Sequence, residues 1–268
     1  MIRMLSAEWT KLIGRPLTRA LLVTAASWAL LIFFVNVAQA GSQSFRSGFD
    51  WNHQVGRQLM GVLTGARIIV MVLAAAAVAS EYTFDTLKAL LPRMAGRWRL
   101  LASKGVVVLF VVAVLSSAMV AVATAPEWLL GHALGLDRDQ PPLLVAAHLG
   151  SAVVVVAQIC FYAVIAFCLA SLSRSLAVGV VGGVLLQVGA DVTAAGSRTI
   201  AWLAPTMHFE NLSAALSGNT TRLDMVQTAL EAEVPPGVSL LLLAAWLTAF
   251  LVPTFWWFER RDVAGAPG

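Results

Sequence analysis

Six stretches of this chain, 18–37, 59–79, 105–125, 149–169, 176–193 and 238–258, carry between them only three charged residues, Arg19, Arg67 and Asp191. Each is about the 20 residues that an α-helix needs to cross a bilayer. Hydrocarbon offers no water to backbone N–H and C=O groups, so segments of this kind must close their hydrogen bonds internally. The fold class follows: all-α, a polytopic membrane protein with six transmembrane helices. Composition agrees, since only 12% of the 268 residues are charged, half of the roughly 25% usual in soluble domains.

A sequence pI near 9.6 raises nucleic acid as a partner. The Lys and Arg residues, however, flank the apolar runs instead of gathering on one soluble face, and no nucleic-acid partner is expected. With both termini on one side, twelve of the 18 Lys and Arg residues, counting Arg19 at the mouth of the first span, fall in that side's segments, five in the opposite loops, and Arg67 within a span. Cytoplasmic loops are the basic ones, so both termini and the 80–104 loop are expected inside. Ala38-Gln39-Ala40 imitates a signal-peptidase site. The basic region before it is too long and the run is of full span length, so the first span is expected to stay.

Residues 1–16 read as an amphipathic helix in the headgroup layer. Ile2, Leu5, Trp9, Leu12 and Ile13 share one face, Arg3, Ser6, Glu8, Thr10 and Lys11 the other, and Gly14 and Pro16 end it. Residues 17–268 form a single six-span domain. Ser171–Ser175 is a tight inside turn. The fifth span is rich in glycine (Gly179, Gly182, Gly183, Gly189), which favours close helix approach. The longest connection, 194–236, reads as an outside segment in which Leu223, Val226 and Leu230 share a face of a short surface helix.

Enzymatic chemistry finds few footholds. Only Lys11, Lys88 and Lys104 exist, followed by Leu, Ala and Gly, so no phosphate-binding Gly-x-x-x-x-Gly-Lys-Ser/Thr loop is present. His53, His132, His148 and His208 lack metal-ligand spacing and read as solvated or headgroup-level residues. No Gly-x-Ser-x-Gly nucleophile motif occurs. Cys160 and Cys168 lie eight residues apart, about 12 Å along one helix, and read as free thiols. No catalytic, cofactor-binding or metal residue is assigned, and the chain reads as a non-enzyme.

Arg67, eight residues into the second span, is the one basic residue deep in hydrocarbon. Such an arginine faces the bundle interior with a partner, contacts a substrate, or snorkels to the headgroups. Asp191 in the fifth span falls near the same depth and is the favoured partner, with Gln187 one turn earlier able to share the guanidinium.

The most charged stretch, 80–104, separates the second and third spans. Phe84, Leu87 and Leu91 recur at helical spacing and give it an apolar stripe. Such a stripe either packs on the ends of the protein's own spans or docks on a partner. Glu81-Tyr82, Thr86-Leu87-Lys88, Leu90-Leu91 and the basic tail from Arg93 to Lys104 resemble the cytoplasmic loop of type-2 ABC-transporter permeases, with Asp85 where that family carries Gly. The Glu259-Arg260-Arg261-Asp262 ending is similar to that family's close. The resemblance implies a coupling helix in which Glu81, Tyr82, Phe84, Thr86, Leu87 and Leu91 serve docking on cytoplasmic ABC ATPase subunits. It implies ATP with Mg on those subunits and no cofactor in this chain. It also implies a second copy or a related permease chain as partner, a bacterial-type inner membrane, and export of substrates such as drugs, antibiotics, peptides or lipids. Arg93, Arg97 and Arg99 suit anionic lipid headgroups better than an ATPase. The alternatives are a non-transporting anchor or sensor subunit, and a self-sufficient carrier or channel.

Overall fold

The computed structural model describes residues 2–43, 51–83, 97–133, 142–194, 202–217 and 234–260. All of their regular structure is helical: α1 (Ile2–Gly14), α2 (Pro16–Gln43), α3 (Trp51–Thr83), α4 (Arg97–Ala133), α5 (Pro142–Ser173), α6 (Leu176–Ala194), α7 (Pro205–Ser217) and α8 (Pro236–Arg260). Five of them contain segments long and apolar enough to cross a membrane: Pro16–Val35, Gly65–Tyr82, Trp98–Ala125, Leu149–Ser173 and Pro236–Arg260. The chain is therefore a multi-pass membrane protein. The fifth expected span is the exception, a shorter apolar segment at Leu176–Ala190.

Local chemistry sets the breaks. Gly14 closes α1, and Pro16 opens α2 at the first helical position, where its missing N–H is no loss. Only Arg174 and Ser175 separate α5 from α6. Arg174 takes the left-handed conformation (φ 58°) that ends a helix, and the Ser175 hydroxyl accepts from the Val178 amide to cap the next one. α4 has 37 residues, about 55 Å of helix against a hydrocarbon layer of about 30 Å, so it projects beyond the bilayer.

Burial ranks the helices. In the crossing segment of α3, 72% of residues are buried, against 17% in those of α2 and α8. α3 and α5 form the central pair, with α2 and α4 on one side and α6, α7 and α8 on the other. The main core joins α2, α3, α4 and α5 around Leu73, Val112, Met119 and Ile159. A second core gathers Met71, Tyr162, Phe209 and Leu243. α6 reaches α3 and α5 through its glycines. A methyl group on Gly179 would sit 2.7 Å from the Ala170 Cβ and 2.8 Å from the Ala75 Cβ, so only glycine fits there. Gly189 has nothing within 4 Å and plays no such part.

Part of the 194–236 connection is not a surface segment. α7 lies inside the bundle, antiparallel to α5. Thr206 meets Tyr162, Phe209 meets Phe161, Ser213 meets Ser151, and Leu216 meets Gly150. Its N-terminus is thus at the depth of Tyr162, well inside the protein. Trp246, ten residues into α8, donates to the Leu203 carbonyl, which marks how far the connection dips. The expected surface helix over Leu223, Val226 and Leu230 lies outside the described residues.

Candidate functional site at the base of the second span

α1 does not simply float with its polar face outward. Leu5, Glu8, Leu12 and Arg15 follow one another at helical spacing along its packed edge, and Glu8 is buried while Trp9 is exposed and tilts against Phe110. The sequence-based face assignment is corrected here. A carboxylate placed among apolar neighbours needs cations, and they come from elsewhere in the chain.

Lys104 of α4 reaches Glu8 in a close ion pair and Glu81 of α3 at 3.2 Å. Arg15, in the break between α1 and α2, donates to Glu81 at 2.6 Å, to the Ser80 hydroxyl, and to the Ala77 carbonyl at 3.3 Å. Lys11 holds the second oxygen of Glu8 at 3.3 Å. Glu8, Glu81 and Lys104 are 5%, 3% and 6% exposed. Three cations thus surround two carboxylates. Beside them is a cavity of about 10 Å³ lined by Glu8, Arg15, Ala77 and Lys104, room for a single water. Mutual attraction offsets desolvation only in a fully bonded arrangement, and this one bonds every carboxylate.

Tyr82, next to Glu81, turns to another part of the bundle. Its hydroxyl donates to the Ser171 carbonyl at 3.4 Å, and the Arg174 guanidinium lies 5.5 Å above its ring. Two adjacent residues therefore tie the end of α3 to α1 and α4 on one side and to the α5–α6 turn on the other. The chain enters the 84–96 segment directly after α3 and leaves it into α4, where Leu100, Leu101 and Lys104 are buried. Phe84, Thr86, Leu87 and Leu91 lie outside the described residues.

A family profile described as a protein of unknown function (DUF2705) matches residues 17–264. The chain belongs to the DUF2705 family. Comparison with curated proteins and with solved structures returns no match. Glu81 and Lys104 of the cluster fall within the DUF2705 match, and Glu8, Lys11 and Arg15 precede it.

The other site expected in this DUF2705 chain lies deeper. Arg67 is 6% exposed, turned inward with its guanidinium 5.4 Å from the Tyr162 ring, not extended to the headgroups. The Tyr162 hydroxyl in turn shares a 3.0 Å hydrogen bond with Thr206 at the start of α7. The antiparallel register of α3 and α6 follows from their contacts: Gly179 packs at Ala75 and Gly183 at Met71. One turn further along both helices brings Gln187 level with Arg67 and leaves Asp191 a turn beyond. The Asp191 side chain lies outside the described residues. Tyr162 and the buried Gln158, one turn away on the same helix, belong to this region. Nothing in the linear sequence singled them out.

His208 is a further correction, being fully buried instead of solvated. Its Nε2 lies 2.7 Å from the Trp202 carbonyl, an acceptor only, so Nε2 carries hydrogen. In the neutral ring Nδ1 accepts from the Ser239 hydroxyl at 3.2 Å. Asn211 donates to both Ser239 Oγ and the Val234 carbonyl at 2.9 Å. These bonds pin α7 to the start of α8. Among the described residues, no group of three or more His, Cys, Asp and Glu side chains is placed to hold a metal ion.

Proposed function

We infer that this chain is the membrane-spanning permease subunit of an ATP-driven exporter, worked by separate cytoplasmic ATPase subunits. In this reading it has six crossings, with α6 as a shortened fifth backed by the re-entrant α7. Both termini are cytoplasmic, in a bacterial-type cell membrane. Two such chains, identical or related, flank the path. The observation that carries the reading is the ion cluster at the base of α3 and α4. The two helices that flank the 84–96 segment, α3 and α4, are joined by buried charges that also grip α1, and Tyr82 beside them meets the α5–α6 turn. A push on that segment from below is passed to four helices at once, as a coupling helix requires. The resemblance of 80–104 to type-2 permease loops points the same way.

The test is co-purification with, and ATP hydrolysis by, a separate P-loop ATPase subunit. The expected outcome is no hydrolysis by the permease alone and hydrolysis in the assembled complex. Phe84→Ala and Leu87→Asp should each weaken docking about tenfold or more, since burying one such side chain is worth roughly 1.5–3 kcal/mol. Unchanged co-purification of both variants would sink the coupling role. The buried Arg67 favours one second reading, a self-sufficient carrier with an intramembrane charge. That reading requires transport by the chain alone in vesicles without ATP.

A further inference from the structure

A cleft of about 180 Å³ opens between α4, α5 and α8, lined by Gly105, Leu109, Ala163, Phe167, Leu251 and Phe255. Drug-sized ligands occupy pockets of roughly 300–1,000 Å³, so this one suits a single slender apolar chain. Its walls belong to three membrane-crossing helices, which places its mouth among lipid tails.

What lies at the end of the cleft identifies the tail's owner. On α4 the lining residues Ala102, Val106 and Leu109 continue at helical spacing to Arg99, one turn nearer the helix start. On α8 the lining residues Leu251 and Phe255 continue to Glu259, one turn nearer the helix end. Both charged residues are exposed, at the bundle end that carries α1. Arg99 stacks beside Trp98, with its guanidinium 5.6 Å from the ring. Glu259 has no ion-pair partner among the described residues. Arg99 and Glu259 thus stand at headgroup level below one apolar cleft, while the neighbouring Arg260 is turned to the Trp256 ring at 4.4 Å. An anionic headgroup would meet the Glu259 carboxylate, and a quaternary ammonium offers it no N–H. A headgroup with both a phosphate and a primary ammonium suits both residues.

We propose that this cleft is a binding site for an aminophospholipid of the phosphatidylethanolamine type. One acyl chain lies against Gly105 and Phe167, the phosphate accepts from Arg99, and the ammonium donates to Glu259. The assignment requires only that the chain spans a membrane and is independent of the export reading.

Native mass spectrometry of the purified full chain tests it, using phosphatidylethanolamine, phosphatidylcholine and phosphatidylglycerol of identical chains. Phosphatidylethanolamine is expected to be retained about tenfold over the other two, the ratio one charge-assisted hydrogen bond supports. Glu259→Gln, a surface change that leaves packing alone, should abolish that preference. Gly105→Leu should lower occupancy by all three lipids. The first methyl at Gly105 meets Phe167 at an ordinary 3.7 Å, and the remaining atoms fill the cleft. Equal retention of the three lipids by the unaltered protein would overturn the proposal, and so would a preference that survives Glu259→Gln. Equal thermal stabilisation by free phosphoethanolamine would overturn it as well, because the site would then need no acyl chain.

Discussion

Two buried polar clusters hold this bundle, and they are built on opposite principles. At the base of α3, Glu8, Arg15, Glu81 and Lys104 make an ionic cluster whose members come from α1, α3, α4 and the α1–α2 break. Between α7 and α8, His208, Asn211 and Ser239 make a cluster of uncharged side chains with backbone carbonyls at its edges. Glu8, Glu81 and Lys104 of the first and all three side chains of the second are buried, while Arg15 stays partly open to solvent. In the first, each group depends on opposite charge, so losing one partner strands another charge. In the second, losing one partner strands only a dipole. The ionic cluster also joins residues up to 96 positions apart, whereas the neutral one spans 31 or fewer. The first therefore fixes tertiary arrangement, and the second pins α7 to the start of α8.

The largest effect should come from Lys104→Met, which removes the cation shared by two buried carboxylates. It should destabilise the protein by about 3–5 kcal/mol, read as denaturant-induced unfolding in micelles. Replacing Glu8 and Glu81 with Gln in the same chain should restore much of that loss, since a buried ion set and its apolar or neutral substitute are often close in stability. If Lys104→Met alone is no worse than a change in the neutral cluster, the contrast between the two fails.

An intermediate effect is expected for Ser239→Ala, which leaves one Asn211 hydrogen and the His208 Nδ1 without their partner. The loss should be about 1–3 kcal/mol, confined to α7 and the start of α8 in hydrogen exchange. Protection lost instead across α1 and α4 would show the two clusters to be coupled.

The smallest effect belongs to Arg15→Gln. The Arg15 side chain keeps 26% of its exposure, so water screens it and the expected loss is about 1 kcal/mol or less. Added salt should narrow the difference between Arg15→Gln and the unaltered protein while leaving the Lys104→Met difference in place, because buried pairs are screened much less.

The membrane-crossing helices were legible because apolar length is a one-dimensional property. So were the breaks at Gly14 and Pro16 and the turn at Arg174. α7 was not, because Thr206, His208, Glu210, Asn211 and Ser213 give 205–217 the composition of a surface segment. Its signal was there in Pro205 at the first position and in Phe209, Leu212 and Leu216 at helical spacing. The burial itself depends on Ser239 and the Val234 carbonyl, which no local pattern announces. Glu8 misled for a similar reason. Its face looked polar, and only the arrival of Lys104 from α4 turns that face inward. At Arg67 the inward placement follows the rule for intramembrane charges. The level of its α6 neighbour depends on which glycine meets which side chain, a fact of register and not of depth alone.

The burial of Arg67 and Glu81 in α3 bears on how the protein is made. α3 is the least apolar of the five crossing segments, and a lone arginine at mid-bilayer costs at least about 2.5 kcal/mol on insertion scales. When α3 leaves the ribosome, Arg15 has already been synthesised, but Lys104 and Tyr162 have not. α2, mostly open to lipid, is fit to partition into the bilayer as soon as it emerges. α3 is also apolar enough to cross, but its Arg67 and Glu81 meet Tyr162 and Lys104 only once α5 and α4 have been made. The most central helix of the finished bundle thus completes its polar contacts only after the two helices that follow it in the chain have been made.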